Sequence, residues 1–243
     1  MTSSDIPVSD AALEQLRHVS TATLTTQLFK RGLRNVFLQG VRPLVPPSPG
    51  TPNVVGPAFT LRNIPAREDI DHVGIFQDPD HPQRKAVESA PPGSILVQDC
   101  RGETSVASVG SILALRLAKR GVAGMVSDGP VRDSGTIAEL GLPLWCAGAS
   151  APLNLARHHA VDQNVPIACG GVAVYPGDIV VCDVDGVVIV PREMAEEVAR
   201  DAGEQELMEA FITSRIAEGR PLRGNYPPND ETLAAYQVWK TQR

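Results

Sequence analysis

The sequence predicts an α/β protein in which helices cover a mixed, partly parallel sheet. Three observations carry this. From residue 94 onward, apolar strand-like runs alternate with helical runs in the order β–α–β–α–β, which parallel strands with crossover helices produce. Residues 166–190 then become β-branched and are broken by turns, the mark of antiparallel pairing. A long polar helix with one apolar side follows over residues 193–218.

The elements are justified in chain order. Ser9 carries the side-chain oxygen of a helix cap, and Leu13 and Leu16 share one face behind it. Ser20 starts a second helix through Leu24 and Leu28, closed by Gly32. Residues 43–53 contain Pro43, Pro46, Pro47, Pro49, Gly50 and Pro52, which is loop chemistry. Residues 54–61 read as a strand. Residues 62–93 are polar and weakly periodic, so a loop is expected there. Pro91-Pro92-Gly93 turns into a strand over 94–98. A helix beginning near Gly110 runs through Leu113 and Leu117. A strand follows at 122–127, a short helix at 134–140 and a strand at 143–146. Pro176-Gly177 is a tight turn, and Asp185-Gly186 between valine-rich halves signals a hairpin. Met194, Val198, Leu207, Phe211 and Ile216 form the apolar side of the long helix. The tail 219–243 holds Tyr226, Tyr236 and Trp239. Those aromatics are expected either on a neighbouring subunit or folded back on their own chain. The domain reading takes the first: one domain over residues 1–218, then a docking tail.

Composition narrows the function. The chain has 243 residues, 42% hydrophobic and 21% charged, enough for a core of real size. Net charge is −6, so no basic field exists to hold nucleic acid. No apolar stretch approaches the roughly 18–20 residues that span a bilayer. The beginning of the chain lacks a charged region followed by an apolar block, so no secretory leader is expected and a cytoplasmic location is the default. Cys100, Cys146, Cys169 and Cys182 are too widely spaced for a zinc pattern and read as small core hydrophobes.

The informative stretch is "VSDGPVRD", residues 126–133, at the carboxyl end of an apolar strand. Ligands of α/β sheets sit beyond such ends. Gly129 permits a close turn. Arg132 offers a planar fork that holds a carboxylate through two parallel bonds. Asp133 offers a hard oxygen, and magnesium often takes only one or two protein carboxylates. The same residues would also serve as a surface ion pair or a helix cap. A second segment, Arg101-Gly102-Glu103-Thr104, precedes Gly110-Ser111-Ile112-Leu113. A glycine before an apolar-periodic helix leaves first-turn N–H groups facing an anion.

The run "GVAGMVSDGPVRDSGTIAELGLPLW" resembles the RraA-like family, as do "VVGPAFTL", "GGVAVYPGDIVVCDVDGVVIVP" and "IAEGRPLRGNYPP". That family includes class II 4-hydroxy-4-methyl-2-oxoglutarate aldolases and protein regulators of ribonuclease E. The resemblance covers roughly residues 20–228. It implies an α/β/β sandwich and homotrimers or homohexamers. It makes Arg132 the substrate-binding arginine, Asp133 the ligand of a divalent cation (Mg²⁺ or Mn²⁺), and Gly110, Ser111, Ile112 and Leu113 the loop whose backbone meets the substrate. One departure stands out. The family's aldolases carry an acidic residue directly after the glycine that matches Gly110, and this chain has Ser111. A serine hydroxyl holds a water but is no comparable base. Glu103, nearby in sequence, is the expected stand-in.

The function implied by the resemblance is a metal-dependent lyase that cleaves a 4-hydroxy-2-oxo acid to pyruvate and also decarboxylates oxaloacetate. A contact regulator of the ribonuclease E inhibitor type and a 2-oxo sugar-acid dehydratase remain alternatives. Lys30, Lys85, Lys119 and Lys240 all lie outside the site segments, so no Schiff-base route is expected. His158 and His159 read as surface residues of a polar helix. Asp178, Asp183 and Asp185 resemble a metal cluster but fall at turns, where aspartate serves the backbone. His72 and His81 lie in segment 62–93, which would act as a lid or specificity loop.

Overall fold

The computed structural model describes residues 7–242. Residues 1–6, the start of the stretch read for a leader, and Arg243 lie outside them. Two capped helices come first: α1 (Asp10–Leu16) and α2 (Thr21–Lys30). The Ser9 side chain accepts the Ala12 amide, and Ser20 accepts that of Thr23. Then come the short β1 (Arg42–Pro43) and the long β2 (Val54–Pro65). A 3-10 turn (Val73–Gln77) and α3 (Pro82–Ser89) lead to β3 (Ile95–Asp99). The alternation continues as expected through α4 (Ser111–Lys119), β4 (Gly124–Ser127), α5 (Ser134–Glu139) and β5 (Leu144–Cys146). Five further strands follow: β6 (His158–Gln163), β7 (Ile167–Cys169), β8 (Val172–Val174), β9 (Ile179–Cys182) and β10 (Val187–Val190). The chain closes with α6 (Ala195–Ala217) and α7 (Asp230–Thr241).

Strands β2, β3, β4 and β5 are parallel, with Ala58 opposite Ile95 and Leu96 opposite Met125. The other edge of β2 takes two antiparallel neighbours, β9 at its start and β6 at its end. β10 completes that side, and β7 with β8 forms a separate hairpin. Side-chain alternation sends Leu96 and Met125 under α3–α5, and Ile95, Val97 and Val126 to the opposite face. There they meet Val180, Cys182, Val187 and Ile189, so the eight-stranded mixed sheet curls over a shared core. The outer faces of β9 and β10 pack on α1, α2 and α6. The fold is thus the expected α/β sandwich with a mixed sheet and a long helix near its end.

Four expectations change. β2 runs to Pro65 rather than stopping at residue 61, because its polar end pairs with β6. Segment 62–93 contains a helix, α3, whose Ala86 and Val87 are buried. His158 and His159 lie on a strand, not a helix, and His158 is buried. The tail's Tyr236 is fully buried against its own chain, with ring centroids 5.7 Å from Phe211 of α6, and Trp239 lies 5.4 Å from the same ring. No neighbouring subunit is needed to cover these two; Tyr226 stays exposed. Asp178 and Asp183 do serve turns, accepting the Tyr175 amide and those of Asp185 and Gly186. All four cysteines are free and buried, and burial pushes every thiol upward. Among the described residues no helix is long and apolar enough to cross a membrane.

His158 has a measurable consequence. Burial, with the Arg101 guanidinium 3.2 Å from Nδ1, pushes its pKa down from 6.5 to about 4. The unfolded ring therefore takes up a proton that the folded one refuses. The stability it contributes is whole above about pH 6.5 and is lost as pH falls through about 4. We expect H158Q to show a smaller drop in urea midpoint between pH 7 and pH 5 than the unaltered chain. An equal drop contradicts this assignment.

Candidate active site

Two loops leave the carboxyl ends of β3 and β4 and run side by side. The Ser108 amide donates to the Pro130 carbonyl (2.7 Å), and the Arg132 amide donates to that of Val109 (3.0 Å). This pairing sets Gly110 beside Arg132 and Asp133. Asp128 ties the loops down from below. Its Oδ1 accepts the Cys100 amide at 2.5 Å, and its Oδ2 accepts the amides of Gly102 (2.9 Å) and Gly170 (3.2 Å). Burial still pushes its carboxyl pKa up, while those amides pull it down. The first acid of "SDGPVRD" is therefore the anchor of the site's floor.

Asp133 adopts left-handed backbone, φ 57°, which short polar side chains tolerate better than most. Its Oδ2 accepts both the amide (3.0 Å) and the hydroxyl (3.1 Å) of Ser111. The Ser111 amide, then its hydroxyl, hold the Asp133 carboxyl below the usual range, and Arg132 pushes the same way. Asp133 is thus ionised at neutral pH and half exposed. Arg132 Nε lies 3.8 Å from Asp133 Oδ2. No hydrogen bond from its guanidinium to a described residue competes for an incoming carboxylate.

Gly110 caps α4 without a side chain, and the amides of Ile112 and Leu113 in the first turn have no intrahelical acceptor. Its lack of a Cβ matters: an added one would lie 2.9 Å from Asp133 Oδ2 and 3.0 Å from Arg132 Nε. Its backbone φ, −119°, suits any residue, so Gly110→Ala is expected to fold normally. Displacing both groups should lower any turnover at this site about a hundredfold with little change in Tm. A Tm loss matching the activity loss would point to a packing role instead.

These residues border a cavity of about 250 Å³. Gly110, Ser111, Ile112, Leu113, Arg132 and Asp133, the residues that the family resemblance singles out, all lie on its lining. Glu103 is not on its wall: Oε1 accepts the Ser105 amide at 2.8 Å. Asp133 carries the only carboxylate among the described lining residues. Segment 62–93, expected from the sequence to be a lid or specificity loop, supplies Phe76, Gln83 and Arg84 to the lining, with Asn154 beside them; these four residues the sequence reading did not single out. Gln83 is buried and donates to the Ser108 carbonyl at 2.8 Å. A larger hollow of about 830 Å³ lies under segment 43–53. Its acids Asp183 and Glu206 are occupied by Thr21 and Ser20, so it offers no comparable set of free groups.

Comparison with known proteins identifies relatives of the chain and of its fold. Residues 8–189 match the family model "RraA-like: Aldolase/RraA". A protein of Halalkalibacterium halodurans named "Putative 4-hydroxy-4-methyl-2-oxoglutarate aldolase" is 32% identical over 153 residues, 63% of this chain and 67% of that one. "Protein DlpA" of Legionella pneumophila is 26% identical over 210 residues, 86% of this chain but 32% of its own length. The crystal structure of Streptomyces coelicolor RraAS2, "an unusual member of the RNase ES inhibitor RraA protein family", superposes with a TM-score of 0.74 at 32% identity. It covers 85% of this chain and 97% of that one.

Proposed function

The chain belongs to the RraA-like family, and on that premise we propose that it is a divalent-metal-dependent lyase, releasing pyruvate by breaking the C3–C4 bond of a 2-oxo acid. One observation carries the reading. An ionised carboxylate, the guanidinium beside it and the first turn of α4 line one cavity. Among the described residues no cluster of three or more His, Cys, Asp or Glu side chains could cage a metal. Asp133, ionised and half exposed, suits Mg²⁺ or Mn²⁺, which keep several waters and accept one or two carboxylates.

Asp133 would hold the cation. Arg132 would grip the C1 carboxylate, helped by the amides of Ile112 and Leu113. Ser111 keeps Asp133 oriented through both donors. When bound, the cation supplies a Lewis acid for the charge that develops on the keto oxygen. Two bond cleavages share that charge. Decarboxylation of oxaloacetate releases CO₂, leaves its electron pair on the enolate of pyruvate, and ends with a proton from water at C3. Aldol cleavage must also strip a proton from the C4 hydroxyl, and Ser111 is no base for it. Decarboxylation is therefore the better supported of the two. The trimeric or hexameric assembly implied by the resemblance, and the cytoplasmic location expected from the sequence, belong to the same proposal.

The test is pyruvate release from oxaloacetate and from 4-hydroxy-4-methyl-2-oxoglutarate with Mg²⁺ or Mn²⁺, coupled to lactate dehydrogenase. Signal above the metal-alone background that EDTA removes supports the lyase. Its absence with both substrates overturns it and favours the contact-regulator reading, to which Ser111 and the RraAS2 likeness point. Ser111→Asp is expected to raise aldol cleavage about tenfold or more relative to decarboxylation, within the range of a positioned general base. An unchanged ratio contradicts the role given to this position.

A further inference from the structure

The cavity that Arg132 lines holds a second cation that the lyase reading leaves unused. Arg84, on α3, lines the same cavity of about 250 Å³. Its guanidinium lies over the Phe76 ring, 4.4 Å from the centroid. Among the described residues no carboxylate lies within 4 Å of it, whereas Arg31, Arg67 and Arg116 each have one. A half-buried guanidinium facing a cavity, stacked on a ring and without an anion, is a preorganised anion receptor. Its position is fixed from behind: Gln83, the preceding residue, is bonded to Ser108 on the loop that carries Gly110.

We propose that Arg84, held by Phe76, binds a second carboxylate of the substrate, so that the enzyme selects 2-oxo diacids over 2-oxo monoacids. This rests on the lyase reading. Arg132 takes the carboxylate next to the keto group, and Arg84 takes the distal one in the same cavity. Of the described lining residues that segment 62–93 supplies, Arg84 alone is charged. The neighbouring His81 is buried, and burial and Arg84 itself lower its pKa, keeping it neutral. One guanidinium matches a singly charged carboxylate better than a phosphate dianion. Segment 62–93, which supplies Phe76 and Arg84, is thereby a specificity element.

The role also makes a kinetic statement. In oxaloacetate the distal carboxylate leaves as neutral CO₂. A contact with it stabilises the ground state and fades in the transition state. Removing Arg84 should raise KM for oxaloacetate without lowering kcat.

The experiment is calorimetric titration of pyruvate and of 2-oxoglutarate, with saturating Mg²⁺, into the unaltered chain, R84Q and R84K. The unaltered chain is expected to bind the diacid about tenfold more tightly than pyruvate, the scale of one charge-assisted contact. R84Q should lose that preference with pyruvate affinity unchanged, and R84K should regain part of it. Equal affinities in the unaltered chain overturn the proposal, as does R84Q weakening both ligands alike. If neither acid binds, the lyase reading falls and this inference with it.

Discussion

Asp133→Asn is expected to lower metal-dependent pyruvate release about a thousandfold, the several kcal/mol that a Lewis acid contributes at a developing oxyanion. Asparagine is the right replacement. It tolerates the left-handed backbone at this position, which an alanine would strain. Its amide oxygen keeps an acceptor for the Ser111 amide and hydroxyl, so the loop retains its shape. What disappears is the negative charge that the proposal assigns to holding a divalent cation. The melting temperature should stay within a few degrees, because the side chain is half exposed. Turnover that survives in D133N would place the cation elsewhere.

Asp128→Ala is expected to have the largest effect on stability. The substitution strips the acceptor from the amides of Cys100, Gly102 and Gly170 in one step. An orphaned buried donor costs about 1–3 kcal/mol. The Cys100 contact is buried and those of Gly102 and Gly170 only partly so, so the loss comes to about 2–3 kcal/mol, a sizeable part of a typical folding free energy. The three amides come from the loop after β3 and from the β7–β8 turn. Loosening them also frees the segment that leads to Gly110. The variant should therefore unfold at a clearly lower urea concentration and lose activity even where it is folded. Unchanged urea unfolding would show that water replaces the carboxylate, and that Asp128 does not anchor the loops.

Much of the fold was legible because its signals are local. Ser9 and Ser20 cap helices through their own hydroxyls, and valine-rich halves around Asp185-Gly186 must pair. β6 was not legible. "HHAVDQ" has the polar look of a surface segment, and only pairing with the end of β2 makes it a strand and buries His158. The helix α3 hid for a related reason: in "PQRKAVES" only Gln83, Ala86 and Val87 are buried, too few for a periodic signal. The site divides the same way. Gly110, Ser111, Arg132 and Asp133 lie in two short segments whose residue types declare an anion and a cation. Arg84 looks like any helix-surface arginine until the fold carries it to the lining of the same cavity. Glu103 shows the converse: it is close in chain yet turned to Ser105, so sequence proximity misled.

The most direct measurement is a crystal soaked with Mn²⁺ and pyruvate, read by anomalous scattering. A manganese peak within about 2.2 Å of an Asp133 carboxylate oxygen, with pyruvate bridging it to Arg132, is the predicted result. A peak at another residue, or pyruvate bound without touching Arg132, would contradict it.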